Sequence, residues 1–569
     1  MFRSSHLTTL LSLGFLSTAL SVPASAQRPC EDLSSLRLPD TTVTLAQRVS
    51  AGDFTPPAPN FGPNAAGALP GNGPAGRAPE GGRGASDAAA GRGGRGGGRG
   101  NPAAVLYAKL PAFCRVAAEI KPTTDSDIEI EVWMPASDWN GKLQSTGNGG
   151  WSGAIGNLAM GQALDRGYAT AGTNTGHDGG SGSFALGHPE KLIDFGYRAV
   201  HLMTLEAKAI ISAYYGRGPT LSYWNACSTG GRQGLREAQQ FPNDYDGIIA
   251  GAPANYMTHL EAWTLWAPAA MNATPESAIP ASKFAMIHQA VLVECDKLDG
   301  VKDGVIEHPR GCHFDPQTLL CKGEDANNCL TAAQVQTAQK LYEPATNPRT
   351  KAIIYPPFEP GSELGWTFFA GPNPPSVATD LFKYETFKNP NWDWHTFDFD
   401  KDVALADKVD DGILNTINPN LKAFFARGGK LIQYHGWADS LIAPGNSINY
   451  YESVVAKLGG VSKVDDDYRL FMVPGMGHCG GGEGATNFDM LTALEAWREH
   501  DEAPEKIIAT KYVENNPAAG VEMTHPLCPY PQTAQYKGSG DANDAANFAC
   551  AVRKEAQEIH STKAGSSSP

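Results

Sequence analysis

The stretch Tyr223-Trp-Asn-Ala-Cys-Ser-Thr-Gly-Gly-Arg-Gln-Gly-Leu235 constrains this chain more than any other, because an apolar run stops at a serine among small residues and then turns helical. Ala226-Cys-Ser-Thr-Gly230 is one residue away from the G-x-S-x-G nucleophile elbow. In that elbow, small residues two before and two after the serine let strand and helix close around a strained turn. Ala226 stands where the first glycine would be. An ordinary strand-to-helix turn with a capping serine has the same composition. A nucleophilic Ser228 therefore requires a base, an acid and oxyanion donors elsewhere in the chain.

The surroundings of this corner repeat one rhythm. Apolar and charged residues alternate from Asp127 to Met134, as in a half-exposed strand. Gly141-Lys-Leu-Gln-Ser-Thr runs into the cluster Gly147-Asn-Gly-Gly-Trp-Ser-Gly153, which is either a plain glycine turn or a loop that aims backbone N–H groups into a site. Tyr168 to Gly172 and Tyr245 to Pro253 read as short buried strands, and Asp194 to Tyr215 carries helical periodicity. Strands alternating with helices imply an α/β fold, a mostly parallel sheet with helices on both faces. After Pro253 the pattern gives way to residues rich in Trp, Pro, Asn and Asp, and it returns at Gly429 to Asp439, a helix near Ile448 to Lys457, and Tyr468 to Cys479. At 569 residues the chain is long for one core. The division that follows is a core formed by 27–253 and 421–569, with a lid inserted at 254–420.

Asp439 follows one of the late strands and His478 follows the next. The order Ser, Asp, His is that of α/β-hydrolases, and residues at the carboxyl ends of three strands converge on one sheet edge. Cys227 immediately precedes the serine and Cys479 immediately follows the histidine. If Ser228 Oγ and His478 Nε2 lie within about 3 Å, the neighbouring Cα atoms can fall in the roughly 4.4–6.8 Å window of a disulfide. Pairing elsewhere would leave this placement a coincidence.

Residues 1–26 have the charged start, apolar run and Ala-Ser-Ala ending of a secretory signal, so a secreted or periplasmic destination is expected. An even set of ten cysteines suits that destination. From Phe54 to Ala104 the chain is Pro, Gly and Ala with spaced arginines and cannot bury a core. In an exported chain it reads as a flexible insert rather than an RNA-binding tract, and a bridge between Cys30 and Cys114 would make it a surface loop. A net charge of −15 argues against nucleic acid or an anionic membrane as the main partner.

The Cys-Ser, Asp and His-Cys arrangement resembles the tannase and feruloyl esterase family, which includes the mono(2-hydroxyethyl) terephthalate hydrolases. The likeness extends from about Ala103 to Cys550. It implies an α/β-hydrolase fold with a lid, no organic cofactor, and small aromatic esters as substrates. It also implies Ser228 as nucleophile, His478 as general base and Asp439 as its orienting acid. The oxyanion hole would be the N–H of Thr229 with that of Gly149 or Gly150. A Cys227–Cys479 bridge is implied, with further pairs Cys295–Cys312, Cys321–Cys329 and Cys528–Cys550. The acidic turn after Cys295 could be no more than a turn on its spacing alone. The resemblance implies a structural Ca²⁺ held by Asp296, Asp299 and Asp303 with the carbonyls of Val301 and Val305.

The lid has no arginine between Arg349 and Arg427, although Lys383 and Lys388 are present. The planar fork that would grip the free carboxylate of a terephthalate monoester is thus absent from that span. Trp366, Trp392 and Trp394, with Phe368 and Phe369, are candidates for ring contact. The expectation is an esterase acting on hydroxycinnamic or gallic esters. Its alternatives are a terephthalate monoester hydrolase and a catalytically silent, calcium-dependent binding module.

Overall fold

A computed structural model describes residues 27–57 and 102–553. The signal segment and most of the Gly/Arg tract lie outside the described residues. The main sheet has nine strands: β1 (Thr41–Val49), β2 (Phe113–Ile120), β3 (Ile128–Pro135), β4 (Lys142–Ser145), β5 (Ala169–Thr173), β6 (Leu221–Cys227), β7 (Gly247–Gly251), β8 (Lys430–Gly436) and β9 (Tyr468–Val473). Their spatial order is β1-β2-β3-β5-β4-β6-β7-β8-β9. The first three strands and the β3–β5 contact are antiparallel; from β5 to β9 every pair is parallel.

Parallel strands need crossovers, and the helices that make them cover both faces. Ala199–Tyr215, Thr229–Gln240 and Gly445–Leu458 pack into one core with Trp224, Ile248 and Leu470. Met490–His500 packs on the opposite face through Leu491, Leu494 and Trp497, against Tyr223, Ile249 and Ile432. The expectation of a buried strand within Tyr245 to Pro253 is met by this position: every residue of β7 is buried.

The chain between β7 and β8 builds a separate apolar cluster around Trp263, Phe358, Trp366 and Phe369. Its longest helix, Met257–Met271, is buried almost all round. Among the described residues no helix is long and apolar enough to cross a membrane.

Both ends of the expected insert, Phe54 and Ala103 to Ala104, belong to ordered structure. Phe54 is buried, its ring 5.2 Å from that of Tyr107 and 4.5 Å from that of Trp133. Helix Pro102–Tyr107 closes the other side of the tract. A single aromatic just past β1 anchors the chain there, and composition averaged over a window hides one such residue. The ten cysteines form five bridges: Cys30–Cys114, Cys227–Cys479, Cys295–Cys312, Cys321–Cys329 and Cys528–Cys550.

Candidate active site

Strand β6 ends at Cys227, and the chain turns into helix Thr229–Gln240 through Ser228, which has φ 66° and ψ −126°. A non-glycine residue in this region is strained and persists only where its surroundings fix it. Here the Ser228 N–H donates to Gly251 O on β7 at 2.9 Å, and the Ser228 carbonyl accepts from Arg232 and Ala254. The alanine in place of the first elbow glycine is tolerated because the second glycine is kept. A Cβ on Gly230 would stand 2.5 Å from that of Ala226.

The loop Gly147–Gly153 is fastened to this helix. Gly230 N–H donates to Asn148 O at 2.8 Å, the Asn148 backbone N–H donates to Gln233 Oε1, and Gln233 Nε2 donates to Asn148 Oδ1. Thr229 Oγ1 donates to Gly150 O at 2.9 Å. Gly150 and Thr229 therefore share a crevice wall with Ser228 and His478, whereas Gly149 does not line it. As the first residue of its helix, Thr229 has a backbone N–H with no intrahelical acceptor.

His478 Nε2 lies 2.9 Å from Ser228 Oγ, and its Nδ1 lies 2.7 Å from Asp439 Oδ2. Asp439 is fully buried. Burial alone would raise its pKa, but the charge of His478 and the bonds from His435 and His478 outweigh it, so the carboxyl is held well below the usual range. Its Oδ1 accepts from the N–H groups of Leu441 and Ile442 at 2.8 and 3.0 Å. The Cα atoms of Cys227 and Cys479 are 5.9 Å apart, so the bridge ties the serine turn to the histidine loop. The arrangement can take a proton from Ser228, hold an imidazolium against a buried carboxylate, and present an N–H to a developing oxyanion.

Sequence reasoning passed over His435, at the end of β8. Its Nε2 is 2.9 Å from Ile442 O and 3.1 Å from Asp439 Oδ2. A carbonyl only accepts, so the proton sits on Nε2, and Nδ1 accepts from Ser447 Oγ at 2.7 Å. Ser447 in turn accepts from Gln433 Nε2, and Gln433 accepts from Tyr468. The available signal was the pair of polar residues, Gln433 and His435, inside an otherwise apolar strand. A polar side chain buried there requires a partner.

His478 stands between two cavities. The crevice on the Ser228 side has a free volume of about 30 Å³ and is walled by Met257, Leu260, Glu261 and the half-buried Phe368 and Val377. A larger cavity of about 240 Å³ lies on the other side, bounded by Trp437, Ser440, Gly477, His288, Val305 and Glu483.

Of the lid aromatics, Phe368 lines the Ser228 crevice. The assignment of Trp366, Trp392 and Trp394 to substrate is corrected. Trp366 is fully buried and donates to Ser362 Oγ at 3.2 Å; Trp392 packs on Phe387 and Phe382; Trp394 lies against its neighbour His395. None of the three lines either cavity. A small inserted unit must bury its own aromatics first, because it has little other apolar mass.

In the acidic turn, Asp296 accepts from the N–H groups of Asp303 and Gly304, Asp299 from Val301, and Asp303 from Val305. Burial, with the charges of Asp303 and Glu307, pushes the Asp299 carboxyl up to about 6, and Asp303 is raised by burial and by Asp296. Asp296, Asp299 and Asp303 offer hard oxygen donors of the kind a calcium ion takes, although their ligand atoms do not all lie within 4.8 Å of one another. Among the described residues, a tighter set of ligand atoms, all within 4.8 Å, is that of His201, Glu237 and Asp244. Lys208 also reaches the Asp244 carbonyl. The acidic turn is not confined to the lid, since Val301 packs with Cys528, Ala534 and Phe548 of the C-terminal hairpin.

The chain matches the family described as tannase and feruloyl esterase over residues 114–551. It is 38% identical to an uncharacterized esterase of Xanthomonas campestris, over 96% of this chain and 94% of that one. It is 36% identical to a probable feruloyl esterase B-2 of Aspergillus terreus, over 77% of this chain and 86% of the relative. The crystal structure of feruloyl esterase B from Aspergillus oryzae superposes with a TM-score of 0.78 at 29% identity, covering 92% of this chain and 99% of the other. An α/β-hydrolase sheet with this inserted lid, matched over most of its length, places the chain in the tannase and feruloyl esterase family of carboxylic ester hydrolases.

Proposed function

We propose that this protein is an exported serine esterase that cleaves esters of aromatic acids of the hydroxycinnamic or gallic type. The single observation that carries the reading is the unbroken relay from Ser228 Oγ through His478 to buried Asp439. Ser228 attacks the ester carbonyl as His478 Nε2 takes its proton. The N–H groups of Thr229 and Gly150 stabilise the tetrahedral oxyanion. The imidazolium then gives its proton to the departing alkoxide, and water activated by the same nitrogen releases the acid.

The two cavities that meet at His478 support a division of the substrate into an acyl half and an alcohol half. The oxyanion donors line the crevice with Met257 and Leu260, so the acyl group lies there. The alcohol must face His478 Nε2 and leaves toward the larger cavity beside Trp437 and Ser440. A crevice of about 30 Å³ holds little more than a water molecule, so a ring enters by displacing Phe368 and Val377. Relatives named feruloyl esterase B support an aromatic acyl group. Five disulfides support an oxidising destination.

A Ca²⁺ would be held by Asp296, Asp299 and Asp303 with the carbonyls of Val301 and Val305, where it would relieve the repulsion among the carboxylates. These residues supply no reacting group. The test is hydrolysis of methyl ferulate, methyl gallate and a terephthalate monoester, with a serine-directed phosphonate to count active sites. A terephthalate monoester cleaved about tenfold or more faster in kcat/KM than both others would overturn the acyl assignment. Failure of the phosphonate to label Ser228 would overturn the mechanism.

A further inference from the structure

Glu261 lies on helix Met257–Met271 and faces the crevice that holds Ser228, Thr229 and His478. It is 2% exposed, and its Oε2 makes no hydrogen bond among the described residues. Its neighbours on the crevice wall are Met257, Leu260, Phe368 and Val377, which offer no polar partner through their side chains. Thr264 is also on the wall, but its hydroxyl is already bound to Leu260 O at 3.0 Å. A buried carboxyl oxygen without a partner costs about 1–3 kcal/mol, which a sequence could avoid with Leu. The triad does not use this group, since the base and its acid are His478 and Asp439.

We propose that Glu261 recognises a phenolic hydroxyl on the acyl ring of the substrate and turns away a ring that carries a second carboxylate. The proposal rests on the reading of the crevice as the acyl site. A phenol is both donor and acceptor, so it satisfies a carboxyl in either protonation state. Burial and the nearby charge of Asp380 push the Glu261 carboxyl up to about 8, which makes it a neutral acid near pH 7. Asp380 is itself fixed by Ser181 Oγ at 2.7 Å and the Gly182 N–H at 2.9 Å. A terephthalate monoester would bring a further anion toward both acids with no arginine to receive it.

The experiment compares kcat/KM for methyl cinnamate with methyl 3-hydroxycinnamate and methyl 4-hydroxycinnamate, in wild type, Glu261→Gln and Glu261→Leu. The expected wild-type preference for one hydroxylated ester is about tenfold or more, carried mainly by KM, because a site built to bond a hydroxyl rejects the analogue lacking it. In Glu261→Leu that preference falls to within about twofold, while Glu261→Gln, whose amide still donates and accepts, keeps more of it than the leucine variant does. Should the leucine variant not fold, Glu261→Met, which also lacks a strong polar group, takes its place. Wild-type protein that cleaves methyl cinnamate without such a preference, or an apolar variant that keeps it in full, overturns the role of Glu261 and leaves the esterase reading standing. Wild-type protein that cleaves none of the three esters overturns both.

Discussion

At the carboxyl edge of the sheet, Asp439 accepts four hydrogen-bond contacts within 3.1 Å, from His478, His435, Leu441 and Ile442. On the lid side, Glu261 lines the crevice that holds Ser228 with an oxygen that accepts no hydrogen bond among the described residues. Both carboxyls are buried, and their pKa values move in opposite directions, Asp439 down and Glu261 up to about 8. The difference shows where each task is placed. The sheet edge supplies groups whose geometry must not change during reaction, and strands held by parallel ladders fix them. The lid supplies a group left unsatisfied until something binds, which is how a site separates one ring from another. Four variants or conditions test this division, in descending order of expected effect.

Ser228→Ala removes the only covalent route at the rigid corner. Turnover should fall by at least about a thousandfold with the melting temperature nearly unchanged, because losing a nucleophile costs several orders of magnitude. Purified variant retaining more than about 1% of wild-type kcat would show that the corner is not the catalytic element.

Next is the bridge beside the reacting pair. Cys227→Ala with Cys479→Ala frees the serine turn from the histidine loop, and a misplacement of about 1 Å can cost about a hundredfold in rate. The bridge spans 252 residues, so its loss also lowers stability, by about 5 kcal/mol in the chain-entropy view. The assay therefore belongs well below the variant's melting temperature. Full activity there would mean that the strands alone hold Ser228 and His478 in register.

The rigid corner was the legible part of this chain. Ser228, Asp439 and His478 stand at strand ends, where alternation and small residues leave local signals, and adjacent cysteines mark two of them. Strands β4 to β9 could be read for the same reason. The small C-terminal sheets Ile507–Tyr512 with Val521–Leu527 and Gln532–Tyr536 with Phe548–Val552 went unread, being short, irregular and half-exposed. In the lid, Trp366 and Phe368 lie two residues apart in one short helix, yet one is sealed in the lid core and the other lines the crevice. No periodicity separates them, because the orientation is set by packing against Phe284, Tyr342 and Phe358 from distant parts of the chain. Glu261 is equally silent in sequence. A lone acid in an apolar helix gives no sign of whether it is paired.

The acidic turn tests whether the lid is coupled to stability more than to chemistry. Stripping calcium from protein first shown to contain it should lower the melting temperature by several degrees, since a ligand at about 100 times its Kd contributes about 2.7 kcal/mol to folding. The rate in the cold should change far less, because Asp296, Asp299 and Asp303 do not line the crevice that holds Ser228. An unchanged melting temperature would remove the turn's metal-binding role. A rate loss at low temperature as large as that of the cysteine variant would erase the distinction between lid and corner.

The smallest effect concerns the joint between the two regions. His288, in lid helix Phe284–Cys295, is held by Glu363 of the lid at 2.8 Å and by Glu483 of the histidine loop at 2.6 Å. Burial alone would push its pKa down, but the bonds from both glutamates raise it to about 9. An unfolded histidine titrates near 6.5. The folded state thus binds the proton more tightly. The stabilisation is complete below about pH 6.5 and is lost as pH rises through about 9. Between pH 7 and pH 10 the wild type should lose more thermal stability than His288→Gln does, by about 1–2 °C in a chain of this size. Glu483 is part exposed, so solvent screens its share of the clamp. A second readout separates this joint from general alkaline weakening. Glu483 and His288 both line the larger cavity, so KM for esters of bulky alcohols should rise between pH 7 and pH 10 in wild type while kcat holds. The His288→Gln variant should show the raised KM already at pH 7. Identical alkaline profiles for the two proteins would mean that the lid is seated by its apolar contacts and not by this charge.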